Sequence, residues 1–270
     1  HDRLKDYYDG YHFCEDNMVD IYNPFSLINA LDQSKISNFW ASSGATSLLP
    51  KFIDNMELRL RNFEHCRMMR NTLETSDVTG GGAELFLYQS GYLTIKDSNE
   101  FGYTLGFPNE EVRQALYELV LPALTLRQES DIQSVQANLY AQLGMGQTDD
   151  AMVSLKALIA DVPYSNKKLA SMDMEERYRL IMSTIFNAIG LKVEVEKMIS
   201  TGRIDMTVQT SRYIYVIELK LRNNGGKEAA AQQILNRRYM EPFKAGKRQV
   251  IGLGIELDEE GKGLLDWRKV

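Results

Sequence analysis

Two β-type runs, GRIDMTVQT (202–210) and YIYVIELKL (213–221), are separated only by the turn around Thr210–Arg212. So short a link leaves them little choice but to pair as an antiparallel hairpin. Helical and strand periods alternate around that pair. In MEERYRLIMSTIFNAIG, apolar residues recur at Leu180, Ile181, Ile185, Phe186 and Ile189, a helical period that Gly190 closes. KVEVEK reads as a short strand, GGKEAAAQQILNRRYMEPF as a helix, and RQVIGLGIEL as an apolar β-rich run. The order α-β-β-β-α-β over residues 171–270 predicts a small α/β domain with a mixed sheet.

The hairpin carries charge where a strand interior should be apolar. Asp205 lies on the first run, and Glu218 and Lys220 lie on the second. Residues i and i+2 of a strand share a face, so Glu218 and Lys220 project together while Ile217, Leu219 and Leu221 project to the other side. Pairing through the short turn brings Asp205 close to Glu218. An ion pair of Lys220 with either acid at the end of a sheet is the plain structural reading. Burying two acids and a lysine among apolar strands nevertheless costs several kcal/mol of desolvation unless something compensates. A divalent cation does so, and Mg²⁺ suits one or two carboxylates completed by water and phosphate oxygens.

The rest of the chain reads as a separate, mainly helical region. Asn23-Pro24 fits a helix start, with the helical period running on to about Leu60, and residues 50–75 read as a further helix. Gly80–Gly82 marks a break or tight turn. Gly91–Lys96 and Gly102–Phe107 read as a second hairpin, followed by a helix capped by Asn109. Two or more helices fill 128–161, and VPYSNKK (162–168) is the best boundary. The expected division is 1–108, helical with a hairpin; 109–170, a helical connector; and 171–270, the α/β domain.

Charge follows that division. The net charge of -6 divides unevenly: residues 171–270 hold 17 Lys+Arg against 14 Asp+Glu, and residues 1–170 hold 14 against 23. The stretch from Arg222 to Arg248 is the most basic, and phosphate recognition needs only a local basic face. Cys14 and Cys66 form no CxxC pair, and the three histidines all fall in the first quarter, so a zinc site is not expected. The cysteines read as ordinary thiols in a reducing compartment. No apolar run reaches the roughly 20 residues that span a bilayer, and no signal peptide opens the chain, so a cytoplasmic protein is expected.

The succession GRID, ELK and AAQQI on a following helix resembles the PD-(D/E)XK nuclease signature, and the element order matches the restriction-endonuclease-like core. Over nearly its full length the chain is similar to a bacterial family joining an AAA-ATPase-like domain to a C-terminal nuclease-like domain. The matching pieces are YYDGYHF, YNPFSLINAL, YQSGYLTIK, FPNEEVR, EERYR, GRID, YVIELKL, AAAQQI and RRYMEPF. The resemblance implies that Asp205, Glu218 and the carbonyl of Leu219 bind Mg²⁺ or Mn²⁺. Lys220 would position or help deprotonate the attacking water, Gln233 would orient at the site, and Glu176 would complete it. Glu175 competes with Glu176, and Gln232 with Gln233. Arg237, Arg238, Lys227 and Arg222 would meet phosphate. Tyr239 reads as packing, and Glu194 and Glu196 as exposed strand residues.

The same resemblance leads one to expect a phosphate-binding loop, yet no Gly-Lys pair (Gly226-Lys227, Gly246-Lys247, Gly261-Lys262) is followed by Ser or Thr. No ATP site of that kind is expected. The abrupt start suggests a C-terminal fragment lacking the ATPase segment, with the hairpin at 91–107 as part of a winged-helix-like lid. The expected activity is metal-dependent hydrolysis of nucleic acid, most readily DNA, with a homodimer open to the chain. The alternative is a catalytically silent nucleic-acid-binding or regulatory module.

Overall fold

In the computed structural model, described residues are 2–15, 18–43, 63, 65–73, 82–125, 129–160 and 173–270. The expectations for the boundary at 162–168, for the Gly80–Gly81 break and for helix over most of 44–64 fall outside them. The chain divides into two compact units, residues 1–120 and 121–270.

The first unit contains α1 (Asp2–Tyr8), α2 (Pro24–Asp32), β1 (Cys66–Met69), α3 (Arg70–Leu73), α4 (Gly82–Gln89), β2 (Thr94–Asn99), β3 (Gly102–Gly106) and the start of α5 (Glu110–Thr125). Helix α2 begins as expected: Asn23 accepts a hydrogen bond from the Ser26 amide at 3.2 Å, and Pro24 takes the first turn. It stops at Asp32, well short of Leu60, followed by Ser34 at φ 50°.

The hairpin forms as β2–β3. The Asn99 side chain closes its turn by accepting from the amides of Phe101 and Gly102, at 2.9 and 3.1 Å. The expected helix over 50–75 is broken by strand β1, which pairs antiparallel with β3 from Cys66↔Leu105 to Met69↔Gly102. Cys, Arg and Met carry no strong strand preference. The edge of β3 imposes the extended form, buries Cys66 and Met68, and leaves Arg67 and Met69 outward. Both cysteines are free thiols, and burial pushes the Cys66 thiol up to about 12.

The sequence motifs of this unit act as stitches. The Tyr8 hydroxyl donates to the Ser37 carbonyl at 2.8 Å, and the His12 ring bridges Ile95 O at 2.7 Å and Asp20 at 2.9 Å. Lys96 donates to the carbonyls of Gly10 and Pro108. Glu111, fully buried, accepts the amides of Phe39 and Trp40 at 2.7 and 2.9 Å. Tyr8, His12 and Glu111 are buried because they satisfy backbone that the loops would otherwise strand, and half-buried Lys96 does the same.

The second unit holds α6 (Glu129–Met145), α7 (Thr148–Ala160), α8 (Met174–Ala188), β4 (Lys192–Ile199), β5 (Gly202–Gln209), β6 (Tyr213–Leu221), α9 (Gly226–Asn236), β7 (Gln249–Leu257) and β8 (Leu264–Lys269). The strands form one sheet in the order β4-β5-β6-β7-β8. Only β6 and β7 run parallel, with α9 as their crossover. The mixed α/β expectation is met, and β8 adds a strand that the sequence reading did not include.

Two features of this unit position the site. Ile214 and Val216 face Ile234 of α9 and Tyr239, whereas Tyr215 points to the other face and donates to the Leu143 carbonyl at 2.7 Å. Beneath α9 the sheet has Gly252 and Gly254. A Cβ on Gly254 would stand 2.5 Å from the Ala231 amide nitrogen and 2.6 Å from the Lys227 carbonyl oxygen. The helix therefore lies against the sheet through Ala230 and Ala231. In the parallel register Gly254 is the neighbour of Glu218, so this close approach occurs beside the acid.

Candidate active site

Strands β5 and β6 pair from Gln209↔Ile214 to Met206↔Ile217, and there the ladder stops. One further step would set Asp205 opposite Glu218. Instead the Asp205 carboxylate accepts the Leu219 amide through Oδ2 at 2.9 Å, taking the place of a main-chain acceptor. The opposite edge of β5 is interrupted at the same residue. The β4–β5 register passes from Val195↔Met206 to Lys197↔Ile204, and Glu196, facing Asp205, adopts φ 52°. A left-handed glutamate costs about 1–2 kcal/mol, and such residues gather at functional sites. Asp205 is thus freed from regular pairing on both sides.

Glu218 is 1% exposed and Asp205 7%. Lys220 reaches Glu218 Oε1 at 3.4 Å, and the Gln233 amide nitrogen from α9 also donates to Oε1. Glu218 Oε2 is buried with no hydrogen-bond partner. Burial raises the Glu218 carboxyl well above the usual range and neighbouring Asp205 adds to the rise, while the Lys220 ammonium opposes it. A buried acid with an unsatisfied oxygen beside a second acid has the chemistry of a hard-cation site. Asp205 and Glu218 are the residues that could hold the ion, and the Leu219 peptide lies against them. Among the described residues no group of three or more His, Cys, Asp or Glu side chains gathers. Two carboxylates leave room for water and substrate oxygens.

The side chains that the sequence left as alternatives are placed differently. Gln233, not Gln232, turns to Glu218; Gln232 is exposed and donates to Asn236 at 2.7 Å. Glu175 is occupied at the end of β6, accepting from the Leu221 amide at 3.2 Å and from Asn224 at 3.4 Å. Glu176 is half-buried on α8, three residues before Arg179 and so on the same helical face. Tyr239 is 2% exposed and packs as expected, yet its hydroxyl also lies 3.4 Å from the Gln233 amide nitrogen.

Arg222 binds Glu256 at 3.1 Å, and Lys227 pairs with Asp266. Arg237 and Arg238 are exposed just past the end of α9.

Two neighbours of the site were not expected. Arg179, buried on α8, donates to Glu196 at 2.6 Å and places its second terminal nitrogen 3.7 Å from Asp205 Oδ1. Glu196, which reads from sequence as an exposed strand residue, is held between Arg179 and Arg203, the latter at 3.3 Å. Arg179 sits where α8 is buried at every position from Arg177 to Ala188, so its charge needs a partner. Arg179→Met should leave Glu196 and Asp205 without their shared cation and lower stability by about 3 kcal/mol, read from urea midpoints.

Residues 173–267 match the family model of the PD-(D/E)XK nuclease superfamily. The chain is 26% identical over 277 aligned residues to a protein from Azotobacter chroococcum mcd 1 described as an uncharacterized protein in the vnfD 5′ region. The alignment covers 98% of this chain and 51% of that one, so the chain spans about half the length of this curated relative. No solved structure matches. No described helix is long and apolar enough to cross a membrane. With its five-stranded mixed sheet and paired acids on β5 and β6, the segment 173–267 is a domain of the PD-(D/E)XK nuclease superfamily.

Proposed function

We propose that this domain hydrolyses phosphodiester bonds in nucleic acid, DNA first among the candidates, at a site built from Asp205, Glu218 and Lys220. The observation carrying the reading is the unsatisfied, buried Oε2 of Glu218 beside Asp205. A Mg²⁺ or Mn²⁺ ion held by these carboxylates and the Leu219 carbonyl would supply Lewis-acid stabilisation of phosphoryl charge and a more acidic bound water.

The protein's own groups would do the rest. Lys220, on the same strand face as Glu218 and partly exposed, presents an ammonium to the attacking water and to charge developing on the phosphate. Gln233 fixes Glu218 Oε1 and leaves Oε2 for the cation. Arg179 balances Asp205 and Glu196, and Glu176 stands on the helical face beside it. In the wider reading, Arg237, Arg238, Lys227 and Arg222 meet phosphate, the protein acts in the cytoplasm, and it assembles as a homodimer. An ATPase-like segment works with it, and the β2–β3 hairpin belongs to a winged-helix-like lid that packs against that segment.

The test is a thermal melt with and without Mn²⁺, comparing the parent with Asp205→Asn. A cation that binds only the folded state raises stability by RT ln(1 + [L]/Kd), about 2.7 kcal/mol at a hundredfold excess over Kd. The parent should shift upward and Asp205→Asn should shift by less than half as much. Equal shifts would remove Asp205 as a ligand. A parent that shifts but cleaves no DNA would be a binding module without turnover.

A further inference from the structure

Beside Glu218 an open cleft of about 610 Å³ lies between the start of β5 and the C-terminal half of α9. Gln233 forms part of its wall, and Gln233 is also the residue bonded to Glu218, so cleft and acid share one side chain. Arg203 stands at the β5 side and Arg237 at the α9 side. Arg203 is anchored at Glu196 yet half exposed, and Arg237 makes no ion pair among the described residues. The same cleft is lined by the amides of Gln232 and Asn236 and by the Tyr239 ring, which lies against Gly202. By contrast, Arg222 and Lys227 are near the other end of α9 and are engaged by Glu256 and Asp266.

We infer that this cleft binds one unpaired nucleotide of the strand being cut, its phosphates between Arg203 and Arg237 and its base against the amide-bearing side of α9. The inference rests on the nuclease reading for what happens at Glu218, and on the cleft alone for where the strand runs. Two arginines lining one groove, from β5 and from the end of α9, suit a phosphate passing through it, and exposed amides can meet the edge of any base. The volume lies within the range that encloses a small ligand. It is large enough for one nucleotide, and the wall amides can pair with a base edge only where no partner strand occupies that edge, so the strand reaching Glu218 is single there.

The experiment uses the whole chain in EDTA, with fluorescein-labelled single-stranded and blunt duplex DNA of one sequence, read by anisotropy across a salt series. The parent should bind the single strand at least fivefold more tightly than the duplex. Arg203→Gln/Arg237→Gln should weaken single-strand binding more than tenfold and reduce the salt slope by about two, one per lost phosphate contact. Lys244→Gln/Lys262→Gln, at exposed lysines paired with Glu241 and Glu260, should cost less than threefold.

Duplex bound as tightly as the single strand, or equal losses from the two double variants, would overturn the inference. A parent that binds neither DNA would overturn it as well. Cleavage of the same DNAs in Mn²⁺ reports on the nuclease reading separately. Cleavage with unaffected arginine variants removes the cleft and keeps the nuclease. Binding lost in the arginine variants without cleavage by the parent removes the nuclease and keeps the cleft.

Discussion

Glu218→Gln should give a metal-free protein more stable than the parent above neutral pH and, under the proposed nuclease function, one that cuts DNA at least about a thousandfold more slowly. The isosteric amide keeps an oxygen for Gln233 and the packing of β6, so the fold loses little contact. The carboxyl is held by burial, and by Asp205, from its ordinary value of 4.5 up to about 8. The folded state therefore keeps a proton that the unfolded chain releases. Stability present below about pH 4.5 is lost progressively as pH rises towards 8. The variant lacks that loss, so its advantage should vanish near pH 4 and grow as pH rises towards 8. Urea midpoints across this range measure it. A variant less stable than the parent at pH 8 would mean that Glu218 contributes favourable contacts outweighing its desolvation.

The second large effect belongs to a residue with no side chain. Gly254→Ala puts a methyl group within 2.6 Å of the backbone of α9 on two sides. Backbone cannot rotate away, so the helix must lift from the sheet. Overpacking of this kind costs about 3 kcal/mol, which for a unit this size lowers Tm on the order of 10 °C. Because Gly254 is the sheet neighbour of Glu218, lifting α9 also withdraws Gln233. Gly254→Ala should thus lose activity at temperatures where circular dichroism still reports a folded protein. Full activity there would show that Gln233 is dispensable for orienting Glu218.

The hairpin and its three charged residues were legible because Glu218 and Lys220 interrupt an apolar strand, and a period of two leaves no doubt about which side chains travel together. The choice between Gln232 and Gln233 was not legible. It depends on the rotation of α9 about its axis, which Ala230, Ala231 and the glycines of β7 set together. Arg179 was not legible, because its burial on α8 is a tertiary fact. The left-handed Glu196 could not be read, since glutamate has no preference for that region and is held there by two arginines. Strand β1 lies in a run of good helix formers and is extended only because β3 offers an edge. Strand β8, with Asp266, Arg268 and Lys269 among its six residues, has too weak an alternation to declare itself.

The parallel pairing of β6 with β7 has a consequence for time as well as for shape. β5 and β6 meet through a local turn, whereas β7 can join only after α9 has crossed over, and non-local parallel pairing is intrinsically slow. The two acids therefore come together early, while water still surrounds them. Glu218 is sealed only when α9 settles on the finished sheet. A cation that prefers the sealed site acts on the last step of assembly, so Mn²⁺ should slow unfolding severalfold and leave the refolding rate nearly unchanged. The occupied domain would then differ from the empty one chiefly in how long it survives.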